Sequence, residues 1–332
     1  MPVQPFGWMT LKMQKNSGKT DDGRRTVEMK VQDMETVDQR EVDRKVRNYR
    51  LQKYLGGVGF VIVAVHLFYV LFSVTSMFWM TGYLQVTADI CVMVAHFVVL
   101  VVLAFVVRTA NLWIYGCLQN QCDPFLFEAC LYHIGAWGGE NTKRLNLAVA
   151  QYYQGNFEQA ADTLQHVNPE SFKKTNRLNY YIIRCSLCFR MGMPEKVREL
   201  ENEFQRQISG KEDARNMRIL CAMNNMKRAC QNQDYPAAWR FYYEWLGLTK
   251  KGASQEWALV GRIFQTALLE KECGNETGAR EGFAYVKKHG NRLMFAEEAG
   301  RFLDQKEQGD TKTKENGGEE NNGREDSGES IC

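Results

Sequence analysis

Short catalytic motifs are absent from this 332-residue sequence. It contains no Gly-x-Ser-x-Gly nucleophile elbow, no phosphate-binding loop and no His-Glu-x-x-His zinc motif. Its five histidines leave few groups for acid–base or metal chemistry, and two of them lie inside apolar runs. We therefore do not expect an enzyme, and we expect neither a metal nor a cofactor.

The chain has no excess of charge of one sign, and no N-terminal leader is expected. The 42 Lys and Arg residues nearly balance the 39 Asp and Glu residues, and no basic stripe with interleaved aromatic residues appears, so no nucleic-acid partner is expected. The first 55 residues are polar and charged, which does not fit a secretory signal peptide. The ten cysteines are scattered along the chain and do not form the pattern of a disulfide framework.

Two long apolar runs dominate the first third of the sequence. Residues 56–80 contain no Asp, Glu, Lys or Arg, and residues 86–107 contain Asp89 as their only formal charge. A bilayer core about 30 Å thick needs about 20 helical residues, and each run is long enough. Because only residues 81–85 separate the runs, we expect an antiparallel hairpin of two transmembrane helices. A buried helix pair of a soluble protein is the alternative.

The charges that flank the hairpin predict its orientation. Five basic residues precede the first run and Arg108 ends the second, whereas residues 81–85 contain neither Lys nor Arg. The positive-inside rule therefore predicts that both termini are cytoplasmic, and we expect a bacterial plasma membrane rather than an organelle. Phe78, Trp79 and Tyr83 are expected at the outer interface. The five basic residues are Arg44, Lys45, Arg47, Arg50 and Lys53.

Three polar residues lie within the predicted spans. His66 and His96 are expected at depths that differ by about 5 Å, so the two imidazoles could face each other. An interhelical hydrogen bond, or a position inside a homo-oligomer, explains such a pair more simply than a proton relay or a metal pair. Asp89 is expected near the outer end as a hydrogen-bonded group.

The segment before the first run has helical periodicity. Val42, Val46, Tyr49 and Lys53 recur at helical spacing, which predicts a helix that enters the first span without a break. After the second run, Asp123 and Pro124 predict the start of a helix over about residues 124–136. The expected divisions are a flexible N-terminus (1–33), a basic juxtamembrane helix (34–55), the spans (56–80 and 86–107), connecting helices (108–140), a helical repeat domain (141–303) and an acidic tail (304–332).

A repeated helix–turn–helix pattern follows the hairpin. Residues 147–160 place Leu147 and Ala148 before Gly155, and Phe157 and Ala160 after it. This pattern resembles the tetratricopeptide repeat, an antiparallel helix pair of about 34 residues. Three weaker copies follow, with their turns at residues 192, 233 and 274. The second copy has Cys185, Gly192 and Val197, the third has Gln233, Tyr235 and Ala238, and the fourth has Ala267, Gly274 and Ala279.

The resemblance covers about residues 141–300 and implies a cytoplasmic α-solenoid of about four degenerate helix pairs, in an otherwise all-α chain. A generic helical bundle is the alternative. In the family, the first helices of the pairs form a concave face that binds a peptide. By register with the family, this peptide-binding groove would include Tyr152, Tyr153, Phe189, Arg190, Lys227, Phe264 and Lys271. The alternative is that these residues form a solvated face without special affinity for a peptide.

The remaining features add no chemistry. Cys185 and Cys188 form a Cys-x-x-Cys in the middle of a predicted helix, without a second cysteine or histidine pair to complete a zinc site, and are expected to pack. Residues 304–332 are acidic, Gly-rich and free of aromatic residues, which predicts a disordered tail. That tail could fold back onto the groove and compete with a partner.

The sequence thus indicates a membrane-anchored adaptor or scaffold that binds a protein or peptide partner through cytoplasmic helical repeats. The alternative is an accessory or regulatory subunit of a small transporter or channel that uses His66, Asp89 and His96. Such a subunit would have to form a homo-oligomer, since two helices cannot enclose a pathway.

Overall fold

The computed structural model describes residues 37–77, 83–135, 139–249 and 255–304, and this part of the chain is all-helical. The predictions made for residues 1–36, for the Phe78–Trp79 interface and for the tail after residue 304 lie outside the described residues. The helices are α1 Gln39–Met77, α2 Tyr83–Thr109, α3 Leu112–Gln119, α4 Pro124–His133, α5 Glu140–Tyr153, α6 Phe157–Gln165, a 3₁₀ turn Pro169–Ser171, α7 Lys174–Arg190, α8 Glu195–Arg206, α9 Lys211–Gln231, α10 Tyr235–Thr249, α11 Glu256–Glu272, α12 Glu276–His289 and α13 at 294–304.

Helix α1 is one continuous helix from Gln39 to Met77. At 1.5 Å per residue it is about 58 Å long, which exceeds the thickness of a bilayer core. Its first turns carry the basic segment and bury Val42 and Val46 against helices α3 and α4. The prediction that the basic helix enters the first apolar run without a break is confirmed.

Helices α1 and α2 form an antiparallel hairpin with close backbone contact. A methyl group added at Gly56 would collide with the side chain of Val107, and one added at Gly59 would lie 3.1 Å from Leu103 Cδ2. Gly57, by contrast, has open space in front of it. Close helix packing therefore accounts for Gly56 and Gly59 but not for Gly57.

Two described helical stretches are long and apolar enough to cross a membrane. They are Gln39–Phe72 and Ile90–Thr109, whose most apolar windows have mean hydropathies of 2.3 and 3.1. Only 6% of the first window and none of the second is buried. The core helix of a soluble protein would be mostly buried, so the hairpin differs from that alternative.

Four of the helix-to-helix turns in the rest of the chain close in the same way. Gly155, Gly192, Gln233 and Gly274 each have a positive φ, between 61° and 81°, at the turn positions expected from the sequence. At the first turn the Asn156 amide donates to the Gln151 carbonyl at 2.8 Å, the outer bond of a Schellman motif. The equivalent bonds run from Met193 to Cys188 (2.8 Å), from Asp234 to Ala229 (2.9 Å) and from Asn275 to Glu270 (2.9 Å).

The residues of the repeated pattern pack inside each pair. Helices α5 and α6, α7 and α8, α9 and α10, and α11 and α12 contact each other. The small positions of the first helices are buried, and so are the positions that follow the turns. They are Ala148, Cys185 and Ala267, and Ala160, Val197, Ala238 and Ala279.

The connecting helices start as expected but end early. The Asp123 side chain accepts a 2.9 Å hydrogen bond from the Leu126 amide, and Pro124 is the first residue of α4. Helix α4 ends at His133 rather than at residue 136, because Ile134 has extended backbone angles. Gly135 directly follows Ile134, and a glycine just past the last helical residue is a usual stop signal, so the sequence contained a marker for this end.

The last described helices pack back onto the first ones. Helix α11 contacts α3, and the Gln255 amide donates to Gln119 Oε1 at 3.0 Å. Asn291 Nδ2 donates to the Gln121 carbonyl at 2.7 Å, and Arg292 pairs with Asp123 at 3.6 Å. The interior is therefore one contiguous core that includes residues from α3 to the chain's last described helix.

Candidate functional site

The predicted groove residues converge in the structure, but most of them are buried. Each lies in the first helix of a pair, in α5, α7, α9 or α11. Arg190 and Lys271 keep some exposure, and the other five are almost fully buried. Those five are Tyr152, Tyr153, Phe189, Lys227 and Phe264.

The chain itself covers this face. The ring of Phe295, in α13, stacks on Phe264 with centroids 4.9 Å apart and meets Tyr153 edge-on at 5.8 Å. Two residues before the end of α13, Phe302 stacks on Phe283 at 4.7 Å, and Lys271 Nζ lies 4.1 Å from the Phe302 ring centre. Helix α13 thus occupies the face where the resemblance implies a peptide.

A partly buried ion pair connects α13 to the end of α7. Arg190 Nη2 lies 3.0 Å from Glu298 Oε1, and the Arg190 guanidinium also lies 5.4 Å from the Phe157 ring centre. Burial by itself would lower the pKa of Arg190, but the neighbouring Glu298 carboxylate and Tyr152 outweigh it and raise the pKa. Arg190 is thus a fixed cation whose acidic partner comes from the chain's own helix.

Lys227 lies in the interior rather than at a surface. Its Nζ donates a 3.0 Å hydrogen bond to Ser186 Oγ and lies 4.9 Å from the Phe189 ring centre. Burial lowers the pKa of Lys227 well below its ordinary value, because the charged form is disfavoured away from water. In this conformation Lys227 cannot offer a charge to an external acidic peptide.

The covering helix was not part of the groove predicted from the sequence, although a signal for it exists. Phe295, Ala299 and Phe302 recur at spacings of four and three, which is the apolar stripe of an amphipathic helix. Whether an external peptide also binds this face stays a prediction. The competing tail proposed for residues 305–332 lies outside the described residues, but the helix just before it does fill the face.

A second polar cluster lies between the two hairpin helices. His66 Nδ1 and His96 Nε2 are within hydrogen-bond distance, and the two ring planes are nearly parallel, at 19°, with centroids 4.6 Å apart. His96 Nδ1 is 2.7 Å from the Val92 carbonyl oxygen. The expectation that the two histidines could face each other is confirmed. Asp89 lies in α2, and its side chain is outside the described residues.

The contacts of this pair assign its neutral tautomers. Only a protonated His96 Nδ1 can donate to the Val92 carbonyl, so His96 Nε2 carries a lone pair and accepts from His66 Nδ1. The second nitrogen of His66 is then left with a lone pair. The arrangement gives the two rings one interhelical hydrogen bond.

The cysteines lie where packing predicts. Cys185 and Cys188 are buried in the middle of α7, and burial raises the pKa of the Cys185 thiol to about 12. The nine cysteines between residues 91 and 273 are free thiols. Within the described ranges no group of three or more His, Cys, Asp or Glu side chains could hold a metal ion.

The fold defines an all-helical protein, within the described residues, that carries two candidate membrane-spanning helices. Comparisons with protein-family models, with curated proteins and with solved structures find no match to this chain.

Proposed function

We propose that this protein is an integral membrane adaptor, anchored by the α1–α2 hairpin, that gathers a protein partner at the membrane through its helical pairs. The observation that carries the proposal is the outward face of the hairpin. Phe68 and Phe105 are exposed over 73% and 65% of their surface. A contiguous apolar surface of this size needs a lipid or protein cover.

The proposal places both termini in the cytoplasm, because the basic residues lie on one side of the hairpin. The membrane proposed is a bacterial plasma membrane. Membrane extraction with alkaline carbonate tests the anchoring. The wild-type chain should stay with the membrane pellet. Substitution of Phe68 and Phe105 by Arg should release it, whereas the exposed body variant Tyr243→Arg should not. Release of the wild-type chain would contradict the proposal.

The partner surface in this proposal is the face that α13 covers. A partner helix or extended peptide with aromatic and acidic side chains would replace Phe295, Glu298 and Phe302 in their contacts. Binding would therefore require α13 to leave, and weakening its hold should strengthen partner capture. The tether adds to this, since confinement near the bilayer raises the local concentration of the repeats around any membrane partner.

A charge reversal in α13 tests this surface. Glu298→Arg breaks the pair with Arg190, whereas Glu297→Arg changes a neighbouring glutamate that pairs outwards with Arg301. Chemical crosslinking of membranes followed by purification of the full-length chain should recover more partner with Glu298→Arg than with wild type or Glu297→Arg. Equal recovery from all three would exclude this face as the binding surface.

A second candidate function rests on the His66–His96 pair. A proton- or ion-linked subunit would need polar groups at one depth on facing helices, and this pair provides them. Such a function requires a homo-oligomer, because two helices cannot enclose a pathway. His66→Leu with His96→Leu should abolish ion flux into vesicles that contain the purified protein and should leave partner capture intact. Flux that persists in the double variant would exclude this candidate.

A further inference from the structure

A cavity of about 430 Å³ lies where the basic part of α1 crosses the end of α4. The functions considered above do not use it. One wall is a single face of α1 and the other is the carboxyl end of α4, which contacts α1. Its lining includes Asp43, Arg47, Arg50, Leu51, Tyr54 and His133.

The α1 wall changes from charged to apolar along its length. This wall begins at Arg47, which is followed after three, four, seven and eleven residues by Arg50, Leu51, Tyr54 and Val58. Residues at this spacing lie on one face of a helix. At 1.5 Å per residue the face passes from two guanidinium groups to a tyrosine ring and then to aliphatic side chains over about 16 Å. A phospholipid has the same order: phosphate, glycerol, then acyl chain.

The hydrogen bonds between the hairpin helices fix the level of this cavity. Gln52 Nε2 donates to the Val106 carbonyl at 2.9 Å and to Thr109 Oγ1 at 3.0 Å, and Trp113 Nε1 donates to Gln52 Oε1 at 2.7 Å. Gln52 is therefore level with the end of α2, where the apolar run meets Arg108. The two arginines lie just below this level, and Tyr54 lies just above it.

The charges of the cavity suit one anionic group. Arg47 makes no hydrogen bond or ion pair with any residue in the described ranges, and Arg50 donates to the His133 carbonyl at the end of α4. Asp43 is the opposing charge, one turn further from the apolar run than Arg47. Two guanidinium groups on one helical face offer the planar forks that bind phosphate oxygens.

We propose that this cavity binds the phosphate headgroup of an anionic phospholipid of the cytoplasmic leaflet. Arg47 and Arg50 hold the phosphate, Tyr54 lies beside the glycerol, and an acyl chain follows the exposed side chains of Leu55 and Val58. The site rests on the proposed membrane anchoring. Because one wall is α4, bound lipid joins the membrane helix to the helical body.

Lipid binding to the full-length protein in nanodiscs tests this site. Phosphatidylglycerol at a low fraction in phosphatidylcholine is the probe, and native mass spectrometry of the released protein counts retained lipids. A direct charge-assisted hydrogen bond to the phosphate contributes about ten-fold in binding, so Arg47→Gln with Arg50→Gln should weaken retention by about 100-fold. Arg47→Gln alone should weaken it about ten-fold, and it removes no internal contact.

The matched control is Lys53→Gln with Arg108→Gln, which removes the same charge at the same level but outside the cavity. This control should retain phosphatidylglycerol like the wild type. An equal loss in the control, or equal retention of phosphatidylcholine, would overturn the site. Displacement of the lipid by an equal concentration of glycerol phosphate would mean that the cavity binds free phosphate instead. Failure of the chain to enter nanodiscs would contradict the anchoring, whereas entry without selectivity would contradict only the lipid site.

Discussion

The hairpin and the helical body use the same secondary structure with opposite arrangements of side chains. In the hairpin, Gly56, His66 and His96 face the helix interface, and large apolar side chains such as Phe105 face outwards. In the body, Phe295 and its aromatic neighbours are fully buried. The two regions are thus suited to different surroundings, because lipid favours small and polar residues between helices whereas water favours large apolar ones there.

A matched pair of phenylalanine substitutions should separate the two regions most strongly. Phe295→Ala removes a ring from the core and should lower the free energy of unfolding by about 3–5 kcal/mol. Phe105→Ala removes a ring that is exposed on the hairpin, so the free energy of unfolding in detergent should be nearly unchanged. Urea unfolding of the full-length protein in detergent, followed by tryptophan fluorescence, measures both. Similar losses in the two variants would contradict the difference between the regions.

Two neighbouring glycines test the hairpin interface. Gly56→Val forces a side chain into Val107 and should cost about 1–3 kcal/mol, the usual range for overpacking. Gly57→Val enters open space and serves as the control. Thermal loss of helix signal in detergent should therefore begin at a lower temperature for Gly56→Val only. An interface that tolerates both would not be closely packed.

The buried lysine gives the body a dependence on pH. Burial depresses the folded-state pKa of Lys227 below its ordinary 10.5, so the unfolded state binds more protons and stability rises with pH up to that value. Lys227→Met keeps the volume and should add about 1 kcal/mol at neutral pH, by the logic of replacing a buried charge. In urea unfolding, the difference in the free energy of unfolding between Lys227→Met and the wild type should shrink from pH 6 to pH 8.5. A constant difference would mean that Lys227 does not titrate with folding.

The third turn offers the smallest effect. Gln233 has a φ of 61°, which glycine adopts without strain, and the other three turns have glycine there. Gln233→Gly should therefore stabilise the body by about 0.5–1 kcal/mol. Gly192→Ala at the equivalent position should destabilise it by a similar amount. If the two substitutions shift the melting temperature in the same direction, the result would contradict the shared turn geometry.

Much of this fold could be predicted from local patterns. The apolar runs and the glycines at 155, 192 and 274 are short-range signals, and the turn at Gln233 followed from its register with them. The Asp123 cap was also predictable, because a capping side chain acts within one turn. Each of these features depends on residues that are close in the sequence.

The covering of the candidate site could not be predicted in the same way. Phe295 meets Tyr153 across 142 residues of chain, and the contact depends on how each helix pair is rotated against the next. Arg190 and Lys227 were read as surface cations because the family register places them on an open face. The burial of Arg190 follows from the return of α13, which no local pattern encodes. Lys227 is buried by its contacts with Ser186 and Phe189 of α7.

Photolabelling from within the bilayer tests the contrast between hairpin and body most directly. The full-length protein is placed in vesicles that contain a phospholipid with a diazirine in its acyl chain, and labelled peptides are identified by mass spectrometry after illumination. We expect labels between residues 56 and 107 and none in helices α5 to α13. An unlabelled hairpin, or labels spread over the body, would contradict it.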